Sequence, residues 1–143
     1  MRMLQPPDWA VPKGYANGVA ARGTTIAVGG QIGWNAQQQF ESDDFVAQAR
    51  QALANVVAVL REAGAGPQHI TRMTWYVVDR GEYVASLAAL GAEYRAVIGR
   101  HFPAMTAVVA DPLAKAQRDS GRDRDMTEDL RSAADHGKDY DEE

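Results

Sequence analysis

The sequence predicts an α+β domain: a two-layer sandwich in the order strand, strand, helix, strand, helix, strand, with both helices on one face of the sheet. Three observations carry the prediction. Apolar residues recur at helical spacing along Phe45, Ala49, Leu53, Val56/Val57 and Leu60, and again along Tyr83, Leu87, Leu90, Tyr94 and Val97/Ile98. Between these stripes lies Ile70–Val78, a run of branched and aromatic residues suited to a pleated sheet, and after the second stripe comes the short β-type run Thr106–Ala110. Helices that follow strands in this way pack on one side of the sheet they connect.

Each element has its own signals. Ala21-Arg22-Gly23 reads as a turn, and the β-rich Thr24–Gly29 that follows it suggests a hairpin with the segment from Gly14. Gln31–Glu41 is polar and loop-like, with Trp34 and Phe40 set in it. Ser42 followed by Asp43 and Asp44 is a helix start, with a capping hydroxyl and then acids at the positive end of the helix dipole. Gly64 and Gly66-Pro67 end that helix. Asp79 caps the second helix and Gly99 ends it, and Pro103 opens the last strand.

Composition narrows the function classes. The chain has 143 residues, enough for one domain with a real hydrophobic core. It has no cysteine, which excludes disulfide scaffolds, thiolate metal sites and thiol nucleophiles. No apolar run approaches the ~18 residues of a membrane span. The first residues carry Asp8, Lys13 and prolines in place of a signal peptide's apolar stretch, so a cytoplasmic protein is expected. Charge is divided unevenly. Residues 1–110 hold nine Lys/Arg and eight Asp/Glu, whereas 111–143 hold six and eleven. The second stretch has no Val, Ile, Phe or Trp, too little apolar surface to offset its ordering entropy. The expected organisation is an N-terminal extension over 1–13, a folded domain over 14–110 and a charged, poorly ordered tail over 111–143.

Few motifs carry chemistry by themselves. Gly29-Gly30-Gln31-Ile32-Gly33 follows a strand but lacks both the dinucleotide fingerprint and the Lys-hydroxyl pair of a phosphate loop. A tight strand exit with exposed N–H groups, able to hold a carboxylate, is the better reading. His69, His101 and His136 share no metal-ligand spacing, and no Gly-x-Ser-x-Gly elbow exists. Arginines are scattered singly and no basic stripe is present, so neither nucleic acid nor membrane is expected as a partner. Trp75-Tyr76 reads as sheet packing.

Several runs nonetheless resemble one family. Gly14-Tyr15-Ala16-Asn17-Gly18-Val19, Val28–Gly33, the helix segment Ala47–Val56, the strand Ile70–Val78 and Phe102-Pro103-Ala104-Met105-Thr106 occur in the order and spacing of the Rid family (RidA/YjgF). The resemblance implies a chorismate-mutase-like fold and a homotrimer with three small-molecule clefts between subunits. It also implies hydrolysis of 2-aminoacrylate-type enamines and imines to 2-keto acids and ammonia, without metal or organic cofactor. Carried over by position, Tyr15 is the cleft tyrosine and Gly30 supplies a cleft amide. Gly29 stands where a serine is common and Ala88 where an asparagine is common. Met105 stands at the carboxylate-binding arginine, and Ala107 is a further cleft candidate on the same strand. A charge-assisted hydrogen bond contributes roughly 1.5–3 kcal/mol, about 10–150-fold in binding, which methionine cannot supply.

The expectation is therefore weak or altered deaminase activity, the alternative being a non-catalytic trimeric binding or scaffold protein. The glutamate-bearing last strand of the family is replaced by Asp119–Met126. Codons exist for Arg118–Met126 that, shifted by one base, encode Ala-Thr-Ala-Val-Val-Thr-Glu-Thr and a stop. A frameshifted ending therefore stands beside natural divergence as an account of the tail.

Overall fold

The computed structural model describes residues 1–110. Helix α1, Phe45–Glu62, buries one stripe formed by Leu53, Val57 and Leu60. Its cap is Asp44, whose Oδ2 accepts the Ala47 N–H at 2.8 Å. Ser42, the expected cap, sits two residues upstream, and its Oγ accepts the Asp44 N–H at 3.1 Å. The carboxylate wins the capping position because an ionised acceptor bonds an amide more strongly than a hydroxyl does. At the other end Gly64 adopts φ +68°, which turns the chain and lets the Ala65 N–H reach the Leu60 carbonyl at 3.0 Å.

Strands β3, Arg72–Val77, and β4, Ala104–Val109, pair in parallel with Met73 opposite Met105, Trp75 opposite Ala107 and Val77 opposite Val109. A parallel pair needs a crossover. Here it is helical, made of α2, Arg80–Ala85, and α3, Leu87–Val97. The single helix expected from the apolar spacing is thus two helices. Ser86 leaves helical geometry at φ −98°, ψ 1°, and its N–H turns toward the carbonyls of Glu82 and Tyr83. These are main-chain bonds, the Ser86 side chain making no capping bond, and hydrophobic spacing does not register such a break. Asp79 caps as expected, its Oδ1 accepting the Glu82 N–H at 2.8 Å.

The core joins α1, α3 and one face of the sheet. Leu53, Val57, Leu60, Ile70, Tyr94 and Ile98 form the buried cluster, with Met73, Trp75, Phe102 and Met105 packed against it. Both helices therefore cover the same face of β3–β4, as the sequence predicts. The opposite face has no cover among the described residues: Tyr76 is 73% exposed and Val108 38%. After Gly99, at φ +87°, the chain runs back under α3. The Tyr94 ring stacks on Phe102 at 5.8 Å and 12°, and its hydroxyl donates to the His101 carbonyl at 2.7 Å. His101 in turn bonds the Ile70 carbonyl through Nε2 at 2.6 Å. Pro103, fully buried, anchors the end of this segment.

The N-terminal part differs from the expected hairpin. Strands β1, Arg2–Leu4, and β2, Gly18–Ala20, pair antiparallel, Arg2 facing Ala20 and Leu4 facing Gly18. The first lies in the segment expected to be an extension. Thr24–Gly29 forms no strand. Apart from Val28 these residues are exposed, and a branched run with neither face buried has nothing to hold it in a ladder. The 31–41 loop is tied to α1 instead: Asn55 Nδ2 donates to the carbonyls of Ile32, at 3.1 Å, and Trp34, at 2.9 Å. The charged tail 111–143 and its last-strand question lie outside the described residues.

Candidate functional site

The expected site residues fall in three places. Gly29 and Gly30 line a broad cleft of about 1490 Å³ between the 22–33 segment, α1 and β3. Neither glycine has an atom within 4 Å of where a Cβ would stand, so their backbone faces open space. Trp75 lines the same cleft, and its buried indole Nε1–H has no acceptor among the described residues. A buried donor of this kind is a ready hydrogen-bond partner for a water or a ligand atom.

Tyr15 lies elsewhere, in a smaller cleft of about 290 Å³ formed by β1, residues 11–17 and residues 100–102. The Ala16 N–H donates to the Pro103 carbonyl at 2.9 Å, which seats this segment on the start of β4. Asn17 Nδ2 donates to Gln5 Oε1 at 2.8 Å and closes the far side.

The remaining three line neither cleft. Met105 is half-buried and packs against the core cluster. Its register partner Met73 does the same, so the thioether side chains of β3 and β4 share the helix-covered face. Ala107 is exposed on β4, and Ala88 is exposed in the first turn of α3.

Two titratable side chains near the clefts, His69 and Tyr94, make structural contacts. His69 Nδ1 accepts the Gly66 N–H at 3.0 Å in the turn after α1. Burial pushes the Tyr94 phenol up to about 12. Among the described residues no three His, Asp or Glu side chains gather so as to hold a metal ion. Nor is any described helix long and apolar enough to cross a membrane. The clefts bring forward two residues that local pattern does not mark as functional: Trp75, whose aromatic run signals sheet packing, and Arg100, which follows the helix-ending Gly99.

A two-layer α+β domain with a parallel crossover unit and a glycine-lined cleft defines a class, and comparison with known proteins names it. Residues 8–118 match the family described as Endoribonuclease L-PSP, and the chain belongs to that family, as a member of its Rid (RidA/YjgF) proteins. Over 104 residues, 71% of this chain and 77% of the relative, it is 35% identical to the 2-iminobutanoate/2-iminopropanoate deaminase of Escherichia coli K12. The crystal structure of the Rid protein YyfB from Yersinia pestis is similar with a TM-score of 0.65 at 34% identity, over 78% of this chain and 88% of that one. The Escherichia coli YjgF structure is similar with a TM-score of 0.53 at 33% identity, over 69% and 78%. The fold is the chorismate-mutase-like fold of these proteins.

Proposed function

We propose that the chain works as a cytoplasmic homotrimer that binds small imines and enamines in clefts between subunits. There it hydrolyses them to carbonyl compounds and ammonia, without metal or organic cofactor. In this reaction water adds to the C=N carbon, the nitrogen takes up a proton, and the resulting carbinolamine collapses with loss of ammonia. The observation that carries the assembly is the face of β3–β4 that no described residue covers, where Tyr76 is 73% exposed and Val108 38%. A sheet with helices on one face only leaves apolar surface that a partner subunit can bury. The chemistry is supported by the 35% identity to a deaminase.

The reaction on 2-imino acids is slow in this reading. Position 105, where the family resemblance puts a carboxylate-gripping arginine, carries a methionine that packs on the core. That same observation favours a second reading, ligand binding without turnover.

Two measurements test the proposal. Light scattering after size exclusion is expected to give three times the chain mass, and a monomer would remove the inter-subunit clefts. Semicarbazide trapping of an enzymatically generated imine is expected to show faster loss of imine with the protein than without it. Binding with no acceleration for any imine would leave the second reading standing.

A further inference from the structure

We infer that the broad cleft is a docking site for an extended peptide from another chain, which enters as an added strand between β3 and Thr24–Gly29. The backbone of β3 shows why. Its Thr71 and Val77 carbonyls face β4, accepting the N–H groups of Ala104 at 3.1 Å and Ala110 at 2.9 Å. Backbone groups alternate sides along a strand, so those of Arg72, Thr74 and Tyr76 point to the opposite edge. No described strand pairs there. The broad cleft lies along that edge, because β3 lines it and no residue of β4 does.

The facing wall is also strand material without a ladder. Thr24–Gly29 lines the cleft, and Thr24–Ala27 is exposed. The Gly29 carbonyl takes the Gln31 side-chain amide at 3.3 Å, and no other backbone group of the run bonds a described residue. One strand laid between the two walls satisfies both edges, the recognition mode in which a peptide adds to a sheet. Matched to the six residues of β3, it is about 20 Å long.

The cleft also sets the peptide's chemistry. Leu53, Val56 and Leu60 of α1 give it an apolar floor, whereas Thr24, Thr25 and Gln68 line it from exposed positions. A strand with a branched apolar residue at every second position and a polar one between meets both sides. The buried Trp75 Nε1–H, which has no acceptor among the described residues, offers such a strand one further anchor for a carbonyl. Charge excludes an acidic occupant, since the charged side chains lining the cleft are balanced, Arg22 and Arg72 against Asp43 and Glu82. The described chain ends beside the cleft, with Ala110 bonded to Val77. Residues 111–143 hold six Lys/Arg against eleven Asp/Glu and no Val, Ile, Phe or Trp, so they lack the chemistry the floor asks for. The inference needs none of the imine chemistry proposed above.

The test uses the full chain and the peptide acetyl-Lys-Thr-Val-Thr-Val-Thr-Val-Lys-amide, with binding followed by calorimetry. Hydrogen exchange read by mass spectrometry is expected to slow in fragments covering both 24–29 and 72–77 when the peptide is added. Two control peptides carry backbone N-methyl groups, one on the valines and one on the threonines, each removing the donors that face one wall. Each is expected to bind at least about tenfold more weakly than the parent, the effect of losing two or more ladder bonds. Thr74→Pro removes an outward donor without touching the β4 ladder and is expected to weaken parent binding about fivefold, its fold checked by thermal unfolding. No binding, a methylated peptide that binds as well as the parent, unchanged binding to Thr74→Pro, or protection confined to other fragments would each overturn the inference. So would protection of both segments without peptide: rising with protein concentration it would assign the slot to a second copy, and independent of concentration to this chain's own C-terminal residues.

Discussion

Replacing Tyr94 by phenylalanine isolates one contact beneath the small cleft and exposes its dependence on pH. The ring is 6% exposed and its hydroxyl donates to the His101 carbonyl at 2.7 Å. Loss of such a bond, with the carbonyl left behind, is expected to cost about 1 kcal/mol at neutral pH. The alkaline behaviour follows from the phenol's environment. Burial raises its folded-state value from 10.0 to about 12, so the unfolded chain gives up this proton first. Stability from this group is complete below pH 10 and falls as pH rises toward 12. At pH 11, one unit above the unfolded value, about 1.4 kcal/mol is gone. Urea unfolding followed by circular dichroism at pH 8 and pH 11, on the wild type and Tyr94→Phe, measures the effect. Groups that titrate in both proteins cancel in the difference. The wild type is expected to lead by about 1 kcal/mol at pH 8 and to lose that lead at pH 11. A gap of the same size at both pH values would mean that the phenol ionises freely, and the buried Tyr94–His101 contact would be wrong.

Two further substitutions probe the elements around the broad cleft and the core. Gly33→Ala places a Cβ 2.5 Å from Gln48 Cβ and 2.7 Å from its Cα, which α1 cannot yield. The loop must lift off Asn55, with an expected loss of about 1–3 kcal/mol in thermal unfolding. Met105→Arg drives a guanidinium against the core cluster and is expected to destabilise by about 1–3 kcal/mol without conferring tighter binding of a small carboxylate such as propionate. Unchanged stability with a gain in carboxylate affinity would instead put position 105 in a ligand cleft.

The parts of the fold that were legible in the sequence are those with a repeating apolar pattern. The stripe from Phe45 to Leu60 and the run Ile70–Val78 became α1 and β3 because burial of one face dictates both pattern and element. Features decided by single polar contacts were harder to see. The Asp44 cap and the Ser86 break each turn on one side chain or one carbonyl. The pairing of Arg2–Leu4 with Gly18–Ala20 depends on which strand finds a partner, and exposed Met3 and Leu4 carry no alternation that announces it. The candidate site was legible only by resemblance. Tyr15, Gly29 and Gly30 are positioned to face clefts, but nothing in local pattern links them to one another. The core packing of Met105 follows from its register with Met73, a long-range pairing that the linear sequence does not display.

The contact between Ala16 and Pro103 has a consequence for how the protein is made. Its two halves are nearly the first and the last described residues to leave the ribosome. At 5–20 residues per second the Ala16 segment waits about 4–18 s for its partner. During that interval β3 also lacks its parallel neighbour, since β4 is synthesised only after the helical crossover. The Ala16 segment thus docks only after residue 103 is made, and a nascent chain stalled before Pro103 would display both an open strand edge and an unseated Ala16 segment. Such a chain is the form most in need of a chaperone, and an arrest short of residue 103 is the point at which aggregation during synthesis should concentrate.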